Sequence, residues 1–138
     1  MYTAVVLLSF FLFDGTISEK SLDRDNYKYE RALEAQKKNH KPILIFIGAK
    51  WCVACSSMKT DTLKPMHDAK ELDSVNIVVL DADFDKDLVK ELTSDLKPIQ
   101  YPCTILFTEN KKVWKKLSVV GRQTKDKLKE FIKRSSEK

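Results

Sequence analysis

The sequence is poor in metal ligands. Apart from Cys52 and Cys55, the thiol and imidazole side chains are Cys103, His40 and His67, and the two histidines lack the spacing of a zinc pair. Structural zinc takes four ligands, usually as two such pairs, so a closed zinc site is not expected. The acidic stretch 81–85 lacks the Gly and the distal Glu of a calcium loop. No Arg-rich run and no basic stripe interleaved with aromatics is present, which argues against nucleic acid as a partner. The formal net charge of +5 comes from lysines mixed with acids along the chain. It reads as a solvated basic surface, with at most a bias toward acidic partners or membrane surfaces. Internal repeats and low-complexity tracts are absent. The apolar run at residues 2–13 is shorter than the about 20 residues that span a bilayer.

That run fits the apolar region of a secretory signal, with the small residues Thr16 and Ser18 placed for cleavage after Ser18. No Lys or Arg precedes it, so an uncleaved anchor or a misplaced start is the competing reading. The expected organisation is a signal peptide over 1–18, a polar linker over 19–26 and one domain over 27–138. With 43% hydrophobic residues the chain can bury a core.

Within the domain the pattern alternates between helix and strand. A helix from Asp25, its N-cap candidate, carries Tyr29, Ala32, Leu33 and Gln36 on one face and ends at the break 39–42 before Pro42. Residues 43–47 and 75–80 are apolar runs that read as strands buried on both faces. Between them a helix over 52–62 is expected, with Pro65 kinking it or starting a short turn. Leu88, Val89, Leu92 and Leu96 mark a helix over 86–96 capped at Asp85. Strands 103–107 and 113–120 form an antiparallel hairpin around a loop at 108–112, and Gly121 closes the second strand. Thr124 caps a last helix that turns Leu128, Phe131 and Ile132 inward.

The chemistry concentrates at Lys50-Trp51-Cys52-Val53-Ala54-Cys55, between the first strand and the helix after it. A Cys-x-x-Cys opening a helix after a strand is the arrangement of a redox dithiol. Unpaired N–H groups and the positive end of the helix favour a thiolate there, and the thiolate is the nucleophile of disulfide exchange. The alternatives at this point are half a zinc site or a purely structural disulfide.

The segment 41–55, Lys-Pro-Ile-Leu-Ile-Phe-Ile-Gly-Ala-Lys-Trp-Cys-Val-Ala-Cys, resembles the thioredoxin superfamily. Its Trp-Cys-Val-Ala-Cys core is most similar to the C-terminal thioredoxin-like domain of the bacterial transmembrane thiol:disulfide interchange proteins. A second mark is Tyr101-Pro102-Cys103-Thr104-Ile105-Leu106-Phe107. The resemblance implies an α/β thioredoxin fold, a central mixed β-sheet with helices on both faces. It implies a protein-disulfide oxidoreductase with no cofactor beyond the Cys52–Cys55 pair, with Cys52 attacking and Cys55 resolving. Trp51, Tyr101 and a cis Pro102 would bind an extended client chain. The implied partners are client proteins with disulfides or thiols and an upstream redox partner, membrane-bound or soluble. With the apolar leader, a periplasmic or secreted reductase follows, and a cytoplasmic one only if that leader is misread. A non-catalytic binding or chaperone module on the same scaffold is the alternative.

Four positions depart from or modulate that pattern. Phe46 stands where the family has a buried Asp, and Lys59 where the closest relatives have a carboxylate. Both departures bear on how Cys55 loses its proton, and Phe46 is expected to keep its surroundings apolar and dry. Lys50 is the nearest cation in sequence able to tune Cys52. Cys103 takes the place of a usual Thr, as a small buried hydrophobe or a third redox thiol.

Overall fold

The computed structural model describes residues 21–137, so the apolar leader and its cleavage site lie outside the described residues. The apolar run after Pro42 forms β1 (Ile43–Gly48), with every residue buried. It is one of the two inner strands of a four-stranded sheet ordered β2-β1-β3-β4. β2 (Asn76–Asp81) runs parallel to β1. On the other side β3 (Cys103–Asn110) runs antiparallel to β1, and β4 (Val113–Val120) antiparallel to β3. This is the mixed sheet expected.

Side chains alternate across a strand, so β1 feeds two separate core layers. Leu44 and Phe46 join Met58, Leu63, Met66, Leu128 and Phe131 in one layer. Ile43, Ile45 and Ile47 join Ala32, Val89 and Leu92 in the other. Helices α1 (Tyr29–Asn39) and α4 (Lys86–Leu92) cover the second layer. The first is covered by α2 (Val53–Met58), α3 (Lys64–Asp68) and α5 (Lys125–Lys133). Each large apolar side chain buried here contributes roughly 1.5–3 kcal/mol against exposure.

The element ends differ from the sequence expectation for local reasons. Lys28, not Asp25, precedes α1. Asp23 accepts the N–H groups of Asp25 and Asn26 at 3.1 and 2.9 Å, which winds that stretch into a turn ahead of the helix. This turn is tied to the domain by the Arg24 guanidinium, which donates to both Asp85 oxygens at 2.7 and 3.2 Å. At the other end of α1, His40 takes a left-handed conformation and donates its N–H to Gln36 O at 2.8 Å.

Pro65 stands in the first turn of α3, the short helical segment expected there, and the helix that follows the dithiol runs into it without a break. A π-helical turn over Lys59–Leu63 joins α2 to α3, and Lys64 N–H bonds back to Lys59 O. The wider turn accommodates a proline that lacks an N–H and crowds the preceding turn. α4 stops at Leu92, short of residue 96. There the Thr93 hydroxyl donates to Val89 O at 2.5 Å and Lys116 Nζ donates to Leu92 O at 2.5 Å, satisfying terminal carbonyls. The hairpin loop shrinks from 108–112 to Lys111 and Lys112, both left-handed at φ 49° and 67°. Two successive positive φ values make the tight turn whose twist matches the strands it joins.

Candidate active site

Cys52 is the N-cap of α2, and its Sγ accepts the N–H of Cys55 at 3.1 Å. The two cysteines form a disulfide with their Cα atoms 5.2 Å apart. Both are largely covered, Cys52 at 8% exposure and Cys55 at 2%, so Cys52 is the sulfur nearer to solvent. A charge on Cys52 after reduction would meet the Cys55 N–H and the positive end of the helix. Gly48, just upstream, leaves room for this packing. A Cβ there would sit 3.1 Å from both Cys55 Cβ and Phe46 Cε1.

Around the dithiol the surface is aromatic. Trp51 is 66% exposed; its indole N–H donates to Asp83 Oδ2 at 3.0 Å, and its ring meets Tyr101 edge-to-face at 6.1 Å. The Tyr101–Pro102 peptide is cis, as is Lys97–Pro98, which the sequence did not suggest. Pro102 O accepts the N–H of Gly121 at 2.8 Å, and Gly121 at φ 86° closes β4 beside it. Burial, more than its neighbours Cys103 and Asp83, pushes the Tyr101 phenol up.

Phe84 and Asp83 belong to this surface and were not foreseen. The Ala82 N–H donates to Gly48 O at 2.8 Å, which brings the end of β2 alongside the end of β1. Asp81 then accepts the N–H groups of Asp83 and Phe84 at 2.8 and 3.2 Å, folding the acidic stretch into a side-chain-capped turn. Phe84 is left exposed, with Lys50 Nζ 4.8 Å and the Arg24 guanidinium 5.2 Å from its ring centre. The only signal in the sequence was an aromatic residue inside an acidic loop.

Phe46 is buried in the same layer as Cys55, as the apolar wall expected. A cavity of about 280 Å³ opens against Cys55 and is lined by Lys50, Lys59, Asp81 and Arg24 among others. Lys59 reaches over the Phe46 ring, 5.9 Å from its centre. Cys103 starts β3 in the opposite core layer, with Ile47 and Ile105, so the sheet separates it from the dithiol layer. Burial pushes its thiol up. Among the described residues no cluster of side chains could hold a metal ion.

Comparison with known proteins agrees with this geometry. A family model described as thioredoxin-like matches residues 25–108, and the chain belongs to that family. Its fold is similar to a thioredoxin from Thermus thermophilus, with TM-score 0.66 and 15% identity over 83% of this chain and 87% of that one. It is similar to the oxidised C-terminal domain of DsbD from Neisseria meningitidis, with TM-score 0.61 and 17% identity over 84% and 99%. Chloroplastic thioredoxin z gives TM-score 0.60 and 19% identity over 80% and 91%. No curated protein matches the chain in sequence. Family and Cys-x-x-Cys disulfide together define a thioredoxin-like thiol–disulfide oxidoreductase.

Proposed function

We propose that this oxidoreductase exchanges disulfides with client proteins, with Cys52 attacking and Cys55 resolving. The observation that carries the assignment is the pair's asymmetry. Cys52 Sγ caps the helix and accepts an N–H, whereas Cys55 lies beneath it, almost fully buried. In reduction, the Cys52 thiolate attacks a client disulfide; one client sulfur leaves as thiolate and the other stays bonded to Cys52. Cys55 then loses its proton and attacks Cys52 Sγ. The second client sulfur departs, the client ends as a dithiol and the protein as the Cys52–Cys55 disulfide. A thiol donor upstream must return both electrons.

Trp51, Tyr101 and the backbone at Pro102 would form the docking rim, where an extended client adds its main chain. The apolar leader supports an exported compartment, periplasmic or secreted, where disulfides persist. In that setting we favour a reductase fed by an upstream redox partner.

Client trapping is the direct test. Cys55→Ser should accumulate mixed disulfides, and Cys52→Ser should lose reduction of a protein disulfide. Full activity in Cys52→Ser would overturn the assignment. Direction is read from the reduction potential: a value near about −270 mV supports a reductase, and one near about −120 mV makes it an oxidant. Export is read from the mature N-terminus, expected at Glu19.

A further inference from the structure

Resolution needs Cys55 as a thiolate in a place where burial opposes charge. In the mixed disulfide Cys52 carries no charge, so the stabilisation must come from what else faces Cys55. The cavity against Cys55 supplies the candidates: Asp23 and Arg24 from the N-terminal turn, Lys50, Lys59, and Asp81 at the end of β2. Four of these are engaged elsewhere. Asp23 accepts N–H groups of its own turn, and Arg24 grips Asp85. Asp81 accepts the N–H groups of Asp83 and Phe84, and Lys50 lies over the exposed Phe84 ring.

Lys59 is different. It follows Cys55 by one helical turn, and its N–H bonds to Cys55 O. No acidic side chain among the described residues forms an ion pair with it. Its ammonium lies 5.9 Å from the centre of the Phe46 ring. That ring and Cys55 flank one point: Phe46 Cε1 lies 3.1 Å and Cys55 Sγ 3.4 Å from where a Gly48 Cβ would be. An aromatic face holds a cation in place without neutralising it.

We propose that Lys59 is the positioning residue of the resolving step, its ammonium held over Phe46 so that it favours Cys55 as a thiolate. The proposal rests on Cys55 being the resolving thiol. Lys59 does not take the proton, because it is already charged. The proton leaves to water in the cavity, Cys55 attacks Cys52 Sγ, and the departing client thiolate is reprotonated from solvent. Phe46 and Lys59 thus act as a unit: the ring places the charge, and the charge does the work that a carboxylate base would do by accepting the proton.

The test reads Cys55 directly. In a Cys52→Ser background, the rate of iodoacetamide alkylation at Cys55 is followed against pH, with the site resolved by peptide mass spectrometry. Adding Lys59→Met should raise the alkylation midpoint by about one pH unit, the lower end of what a nearby opposite charge produces. Lys59→Arg should leave it near the parent, and added salt should raise the parent's midpoint but not that of Lys59→Met. With both cysteines present, Lys59→Met should slow single-turnover client release about tenfold below the midpoint, with the first attack unchanged. Coincident midpoints in folded parent and Lys59→Met proteins overturn the proposal. Failure of the wild-type protein to reduce a client disulfide, with the midpoint shift intact, would instead overturn the oxidoreductase reading, so the two failures are distinct.

Discussion

The Trp51 indole N–H donates to Asp83 Oδ2 at 3.0 Å, across 32 positions of sequence. One residue adjoins Cys52 and the other sits in the turn after β2, so the bond fixes the aromatic rim to the far side of the site. The ring stays 66% exposed, available to a client yet oriented. Asp83→Ala should therefore raise KM for a protein disulfide several-fold while sparing attack on a small aromatic disulfide. Equal effects on both substrates would show that Asp83 acts on the dithiol rather than on docking.

That bond also marks the limit of what the sequence told. The buried runs at 43–47 and 75–80, the Cys-x-x-Cys and the Tyr-Pro pair are local patterns, and each formed near where the pattern placed it. Arg24, Asp83 and Phe84 join the surface around the dithiol only through tertiary contacts, which no periodicity encodes. The Lys111-Lys112 turn was hidden because tight hairpin turns are signalled by Asn-Gly or Asp-Gly, and here the conformation is imposed by the pairing of β3 with β4. The cap at Asp85 shows a half success. The residue precedes α4, but its carboxylate accepts Asp81 N–H and Arg24 rather than the helix's own N–H groups.

That carboxylate gives a pH prediction. Burial pushes the Asp85 carboxyl up, but the hydrogen bonds from Arg24 and the Asp81 N–H outweigh it and hold the group below the usual range. A carboxyl lowered in the folded state adds stability above its unfolded value, about pH 3.9, and loses it as pH falls through the folded value. Asp85→Asn should melt earlier than wild type at pH 7, with the gap closing below about pH 4. A constant gap across that window would mean that the asparagine loses packing, not charge.

The hydroxyl of Thr104 is fully buried with no hydrogen-bond partner among the described residues, on the strand position paired with Phe46. An unsatisfied buried polar atom costs about 1–3 kcal/mol, so replacing it with a methyl of the same shape should help. Thr104→Val should raise the melting temperature. A fall would reveal a water or partner that the hydroxyl serves.

Cys103 should be silent in exchange. It is 1% exposed, in the layer opposite the dithiol, with its thiol pushed up by burial. Thiols of that kind react slowly. Titration of the oxidised native protein with a thiol reagent should find no fast-reacting group, and one after denaturation. Cys103→Ala should keep turnover close to wild type even if it melts earlier. A loss as large as that of Cys52→Ser would place it in the redox cycle.

Gly48 provides a structural handle on the redox equilibrium. Its missing side chain is what lets β1 end against α2: a Cβ would lie 3.1 Å from Cys55 Cβ and 3.1 Å from Phe46 Cε1. Neither neighbour can yield easily. Phe46 is 1% exposed within the core, and Cys55 lies in the first turn of α2, which the disulfide clamps to Cys52. Gly48→Ala should thus cost about 1–3 kcal/mol, the usual range for overpacking. The penalty should be unequal, since the dithiol form frees the helix start to shift, whereas the disulfide form holds it. Selective destabilisation of the oxidised form makes the couple more oxidising, by about 30 mV for each 1.4 kcal/mol of difference. Denaturation of oxidised and reduced Gly48→Ala, alongside its equilibrium with a glutathione buffer, measures both quantities independently. If the two forms lose equal stability and the potential stays at the wild-type value, the clamp at Cys52 is not what makes this position rigid.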